Sequence, residues 1–240
     1  MKRFGVEVAA GAGLLRDNRT VEVAGTRHTG KAVIIAIDHG MFDGPIPAME
    51  DLPATARKIN PIVDGVLLAP GMLRHCSEIF TSRGGPLAVV RLNWNTVYCF
   101  HFKYRDARSV AACGVEDALR EGMDIALVSL TLQTGSEERD AANVENFARL
   151  ASACHRLGVP VIGEYFPTGH LEMTPQQLHN NVRIGSRVVA ELGGQRGRDL
   201  VRADPGRDAG VRVGSDDEVG IVGADEVGEV GDSDHAVVVE

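Results

Sequence analysis

The apolar residues of this chain come in short unbroken runs rather than in alternation. Ala32-Val33-Ile34-Ile35-Ala36-Ile37 is the first, and a continuous run of that length predicts a strand covered on both faces. Similar runs follow at 65–69, 87–90, 125–128 and 159–162. Between most of them the period changes to three and four. In 137–157, Val144, Phe147, Ala151 and Cys154 make one apolar stripe, with Glu145, Arg149, Ser152 and Arg156 off it, which predicts a helix. Gly158 suits the position that ends it. Thr174-Pro175-Gln176-Gln177 offers an N-cap, a proline at the first helical position and a glutamine three residues after the cap. That helix is expected to run to Leu192, with Gly193 as its stop. Shorter helices are expected from Asp51 to Ile59, starting near Pro53, and from Val115 to Arg120.

Strands alternating with helices predict a parallel sheet with right-handed crossovers. An open doubly wound sheet usually carries a glycine-rich phosphate loop after its first strand. Asp38-His39-Gly40 stands there instead. The fold class is therefore read as α/β, a (β/α)8 TIM barrel that is incomplete, with strands 1 to 5 recognisable. Catalytic groups of such barrels sit at the C-terminal ends of the strands. Residues 93–108 are expected to form a long loop or small hairpin on that same face.

Charge and aromatic content divide the chain at Gly193. Residues 1–193 hold 20 basic and 21 acidic groups, while 194–240 hold 5 Arg, no Lys and 12 acids, so -7 of the formal charge of -8 lies in the second part. The 7 Phe, 3 Tyr and 1 Trp all lie at or before Phe166. Residues 1–193 thus read as the partial barrel, and 194–240 as an acidic Gly/Val/Asp-rich tail whose charge and low bulk predict disorder. Two origins are open for it: a genuine appendage, or translation out of frame after Gly193. The near-neutral first part argues against nucleic acid as a partner. No run of about 18 apolar residues exists to span a membrane, and the N-terminus lacks a strong apolar signal core. Cys76, Cys99, Cys113 and Cys154 are scattered with no CxxC, as expected of reduced thiols in a cytoplasmic protein.

Several residues fall where chemistry is expected. Asp38 and His39 end strand one, and a carboxylate there is suited to proton transfer, whereas a capping aspartate and a structural histidine are the plainer alternatives. Arg91, Asn93 and Trp94 end strand three and could line a pocket, Arg91 binding a substrate phosphate or pairing with a barrel carboxylate. Glu164 and Tyr165 end strand five, as an acid or base and a proton donor, or as a packed aromatic with its hydroxyl satisfied. His39, His75, His101 and His170 show no HxxxH or HxH spacing, so no zinc site is expected.

The order of Ile37-Asp38-His39-Gly40, Gly44-Pro45 and Arg183-Ile184-Gly185-Ser186-Arg187-Val188-Val189-Ala190-Glu191-Leu192-Gly193 resembles the DeoC/FbaB-type class I aldolases. This group includes archaeal-type fructose-bisphosphate aldolase, the aminodideoxyheptulosonate synthases and the autoinducer-2 phosphate processing enzyme. The resemblance implies a cytoplasmic, homo-oligomeric lyase of carbohydrate metabolism that acts on a small sugar phosphate or keto substrate through a lysine Schiff base, without a cofactor. It assigns substrate positioning and proton movement to Asp38. It places Phe166 where many relatives have a catalytic tyrosine, and Thr168 where they have arginine. The family lysine lies on the strand after the last motif, where Arg198 or Arg202 stands here. A guanidinium stays protonated and forms no imine. The lysines, at 2, 31, 58 and 103, all lie upstream. The resemblance thus implies an impaired aldolase, or a relative that binds a sugar phosphate or forms oligomers without catalysis. A sheet that stops after strand five is also expected to expose the edges of strands one and five to pairing with other chains.

Overall fold

The computed structural model describes residues 13–23, 25–30, 32–47, 49–104, 106–168, 173–194 and 236–239. Its centre is a curled parallel sheet. The strands are β4 (Ala32–Ala36), β5 (Gly65–Leu68), β6 (Leu87–Arg91), β9 (Ile125–Leu130) and β10 (Val161–Tyr165), paired side by side in that order. All ten residues of β5 and β9 are buried, which is why these strands read as continuous apolar runs. Before this sheet stands an antiparallel meander of β1 (Gly13–Leu15), β2 (Thr20–Val23) and β3 (Thr26–Thr29). Its short, half-exposed strands leave little hydrophobic pattern; Val21 is buried in the core, with Leu15 and Val23 packed against it.

The helices follow the strands. After β4 come α1 (Gly40–Asp43) and α2 (Leu52–Ala56), after β5 comes α3 (Pro70–Leu73), and α4 (Val115–Arg120) precedes β9. The two long helices are α5 (Glu137–Arg156) and α6 (Pro175–Glu191). The caps are the ones the sequence signals. Thr174 and Gln177 form a reciprocal capping box at the start of α6, and Asp51 caps α2. Gly158 and Gly193 take φ of 71° and 96° just past the two long helices, a conformation that costs other residues a backbone clash. The buried stripe of α5 differs in detail from the expected one. Asn143, Asn146, Phe147, Leu150, Ala151 and Cys154 are buried, and Val144 sits at the margin.

Two apolar layers flank the sheet. Between sheet and helices lie Val66, Val90, Leu92, Val128, Leu130, Phe147 and Val189 among others. On the concave side lie Ala36, Leu67, Val89, Ile125, Leu127 and Ile162, the filling of a barrel interior. At the N-terminal end of the strands, Asp64 and Asp124 each accept from the backbone N–H of the neighbouring strand, at Val33 and Ala88, both at 2.9 Å. After β6 the chain turns back into the hairpin β7 (Asn93–Asn95) and β8 (Ser109–Ala111), the small hairpin anticipated for 93–108. It roofs the C-terminal ends of the strands.

One expectation about the sheet edges is corrected. The outer edge of β4 carries β11 (Ala236–Val239), paired antiparallel with Val237 opposite Ile34 and Val238 opposite Val33. A β-branched run at the end of the acidic segment suits a strand. Its antiparallel direction distinguishes it from a barrel strand, since all eight of those run parallel. Residues 195–235, the rest of the expected disordered tail, lie outside the described residues, as do Arg198 and Arg202. Among the described residues no strand pairs with the free edge of β10.

Candidate active site

The strand period of two sorts the candidates. Ala36, Val89 and Ile162 point into the concave interior, so Asp38, Arg91 and Glu164, each two residues further along, point the same way. The backbone keeps Asp38 in step, because Ile37 still donates to the Leu67 carbonyl at 2.8 Å beyond the end of β4. The three residues meet. Arg91 Nε donates to Asp38 Oδ2, and Arg91 Nη1 donates to Glu164 Oε2 at 2.6 Å. All three are 4–5% exposed. Two carboxylates and one guanidinium are thus buried together, an arrangement that holds only while every member keeps its partners.

A fourth member comes from the roof. Tyr98 closes the short 3-10 turn after β7 and donates its hydroxyl to the same Glu164 Oε2 at 2.6 Å. Its ring packs at 4.9 Å from Phe42 and edge-on at 4.6 Å from Phe166. The Arg91 guanidinium lies over the rings of Tyr98 and Phe42, at 5.1 and 5.4 Å, a favourable contact for a cation away from water. Burial works against the charge on Arg91, but Asp38 and Glu164 more than reverse it and hold the guanidinium well above its ordinary pKa. Burial, then the charge of Glu164, pushes the Tyr98 phenol well above the usual tyrosine range. Tyr98 therefore stays a donor. No separate signal marks it along the chain, because a tyrosine within Val97-Tyr98-Cys99-Phe100 reads as packing.

The other candidates divide. Arg91 takes the second of its two readings, pairing with barrel carboxylates, so its Nε and Nη1 are not open to a phosphate. Asn93 is a brace. Its Nδ2 donates to Ser109 Oγ at 2.6 Å and to the Ser129 carbonyl at 2.8 Å, and its Oδ1 accepts from Ser129 N at 2.9 Å. Trp94 belongs to the roof, with its indole N–H on the Met41 carbonyl at 2.9 Å and its ring edge-on to Tyr104. His39 precedes α1, where its backbone carbonyl accepts from Phe42 and Asp43 at 2.9 and 3.1 Å. Tyr165, one residue past Glu164, faces the helix layer instead. Its hydroxyl donates to Asn181 Oδ1 on α6 at 2.6 Å, and a Cβ on Gly185 would overlap its ring. Burial, then Asp140, pushes its phenol up to about 12. This is the packed-aromatic reading. Phe166 points inward with Glu164 but has no hydroxyl to give.

All four thiols are free, with Cys76, Cys99 and Cys154 buried. His170, of the histidines weighed for zinc, lies outside the described residues. Among the described residues no group of three His, Cys, Asp or Glu could hold a metal ion, and no helix is long and apolar enough to cross a membrane.

Comparison with known proteins agrees with this fold. Over 179 residues the chain is 26% identical to an uncharacterized aldolase of Saccharolobus solfataricus, covering 73% of this chain and 64% of that protein. It is 31% identical over 137 residues to a 2-amino-4,5-dihydroxy-6-oxo-7-(phosphonooxy)heptanoate synthase of Streptomyces griseus, covering 57% of this chain and 47% of that one. The chain therefore spans 64% and 47% of the length of these two relatives. Among solved structures, a Schiff base-forming fructose-1,6-bisphosphate aldolase superposes with a TM-score of 0.54 at 25% identity, covering 69% of this chain and 63% of that one. An archaeal fructose-1,6-bisphosphate aldolase with its catalytic Lys bound to a carbinolamine intermediate gives 0.52 at 24% identity over the same shares, and it supports the barrel fold. The model of the DeoC/LacD family aldolases matches residues 32–221, running past Gly193, where the recognisable motifs end. With its parallel strands, its buried carboxylates at their C-terminal ends and this match over most of its length, the chain belongs to the DeoC/LacD aldolase family.

Proposed function

We propose that the chain derives from a lyase that cleaves or forms a carbon–carbon bond in a small phosphorylated sugar or keto substrate, and that its Schiff-base step is impaired. The observation that carries this reading is the convergence of Asp38, Arg91 and Glu164 at the C-terminal ends of three parallel strands. In a class I aldolase a lysine imine is the electron sink and a neighbouring acid or base moves the proton. Asp38 and Glu164 are the groups of this chain placed to do the second task. Their separation by one guanidinium keeps two carboxylates in one buried site without direct repulsion.

Among the described residues the first task has no agent on the inner layer. Of the chain's lysines, Lys58 and Lys103 are among the described residues. Lys58 follows α2 near the opposite end of the sheet, and Lys103 sits exposed at the tip of the roof with φ 53°. Binding of a keto or polyhydroxy ligand without turnover is therefore the favoured behaviour. The free thiols fit the cytoplasm as the place of action. The family relationship supports a homo-oligomer, with the free edge of β10 as a face to be covered.

Calorimetric titration with dihydroxyacetone phosphate beside a coupled aldol-cleavage assay tests the reading. Heat of binding without turnover is the expected result, with the heat lost in Asp38→Asn while its circular dichroism stays that of the parent. Turnover at ordinary enzyme rates, or heat unchanged in that variant, contradicts it.

A further inference from the structure

Among the described residues the Asp38–Arg91–Glu164 site has no open mouth. Tyr98, Phe42 and Phe166 pack together above it, and Arg91 is held between two of the rings. The two cavities that stand out on the described surface lie elsewhere. One is at the other end of the sheet, beside Arg57 and Glu78. The second, about 520 Å³, lies against the roof and is lined by Thr96, Tyr104, Asp106 and Arg108. Neither is lined by Asp38, Arg91 or Glu164.

The parts of the roof are held unequally. The two strands of its base are braced from below. Asn93 binds Ser109 and Ser129, Asn95 Nδ2 donates to Thr131 Oγ1 at 2.9 Å, and Asn143 of α5 accepts from Ser109 N at 2.8 Å. Tyr98 lies between the strands, on a 3-10 turn held by an N-cap bond from Val97 N to Asn95 Oδ1 at 3.1 Å. Beyond it Phe102 and Tyr104 are 59% and 52% exposed. The base is thus fixed by buried amides, while the segment carrying Tyr98 leads into an exposed tip. The Tyr98 hydroxyl donates to Glu164 Oε2 and also has the buried Ser129 side chain as a hydrogen-bond partner.

We propose that Tyr98 is the gate of this site and that in the closed state its hydroxyl holds the place of a ligand hydroxyl on Glu164. The inference rests on the reading of the inner layer as a substrate site. A phenol and an alcohol are both neutral O–H donors, so a polyhydroxylated ligand replaces the Tyr98 bond to Glu164 with one of the same kind. Displacement of the ring also uncovers Arg91 and vacates a side-chain-sized space above it. A closed resting state lowers the apparent affinity by the fraction of molecules that are open. Tyr98 acts here through Glu164 and Arg91, as a positioning and gating residue.

Chemical labelling of Arg91 tests the gate without requiring catalysis. Phenylglyoxal modifies accessible guanidinium groups, and peptide mass spectrometry reads each arginine separately. In the full chain Arg91 is expected to react more slowly than exposed Arg108. Tyr98→Phe removes the hydroxyl and keeps the ring, and it should speed labelling of Arg91 by about tenfold or more, the equivalent of one hydrogen bond to a charged group. Tyr98→Ala should speed it further. Dihydroxyacetone at saturating concentration should slow the reaction again in both variants. Amide exchange at Ser109, braced by Asn143, should stay unchanged and so shows that the roof remains folded. Labelling of Arg91 in Tyr98→Phe at the parent rate overturns the gate. Faster labelling with no protection by dihydroxyacetone overturns the substrate reading of the site, and the two failures are thereby told apart.

Discussion

The guanidinium of Arg91 reaches Glu164 across an intervening strand. Nη1 and Oε2 are 2.6 Å apart although the residues are 73 positions apart in the chain, and β9 runs between their strands. The bond exists because side chains at the end of a curled parallel sheet converge on its axis, so neighbours across the interior need not be neighbours in the sheet. Asp38 completes the bridge from β4 on the other side.

Removal of Arg91 should be severe. Arg91→Met keeps the apolar stem and leaves Asp38 and Glu164 facing each other in a buried site. Breaking a buried ion cluster by deleting one partner costs about 3–5 kcal/mol, and that loss is expected in urea unfolding at neutral pH. Arg91→Lys should recover only part of it, because an ammonium does not reproduce the fork that binds two carboxylates. A loss under about 1 kcal/mol would show that the cluster is not closed as described.

Tyr165 gives the protein an alkaline sensitivity. Its phenol ionises near 10 when exposed and near about 12 in the folded protein. The folded state therefore disfavours the charged form. The stability it contributes is whole below about pH 10 and is lost as pH rises from there toward about 12. Comparison of the protein with Tyr165→Phe in urea at pH 8 and pH 11 isolates this effect. The variant should be weaker at pH 8, having lost the bond to Asn181, and the gap should narrow at pH 11. A gap that is constant with pH contradicts the assignment.

Asn143 should matter as much as an apolar core residue. Its amide accepts from Ser109 N and donates to the carbonyls of Ala107 and Thr131, at 2.8–3.0 Å. Asn143→Leu conserves size and leaves those groups buried without partners, at about 1–3 kcal/mol for each. The loss should appear as faster amide exchange across β8 and the turn before it, with β4 and β5 unaffected. Exchange that rises uniformly over the whole sheet would mean that the roof and the sheet unfold as one unit.

The sheet and both long helices were legible because burial on both faces writes continuous runs, and because caps such as Thr174 and Gly158 are local. The face carrying the site was legible for the same reason: Asp38, Arg91 and Glu164 each follow an apolar run. Their mutual contact was not, since it depends on how far the sheet curls. Tyr165 illustrates the limit of reading a strand end one residue at a time. It adjoins Glu164, but a period of two turns it to the helices. Asn143 and Asn146 fall on a buried stripe where polar residues do not register as core, and their meaning comes from a hairpin more than 30 residues upstream. The meander from Gly13 to Thr29 pairs locally but its strands are too short and exposed to write an apolar pattern, and the pairing of β11 with β4 is a long-range contact that no local pattern announces.

We propose that the buried Asp38–Arg91–Glu164 layer has no lysine beside it to form an imine; among the described residues Lys58 and Lys103 lie away from it. Borohydride reduction in the presence of dihydroxyacetone phosphate, followed by intact-mass and peptide mass spectrometry, tests this most directly, because a lysine imine is converted to a stable adduct on one identifiable residue. The mass is expected to stay that of the untreated protein, with Lys58 and Lys103 unmodified. A stoichiometric adduct on any lysine would contradict it and restore this chain to the active Schiff-base aldolases.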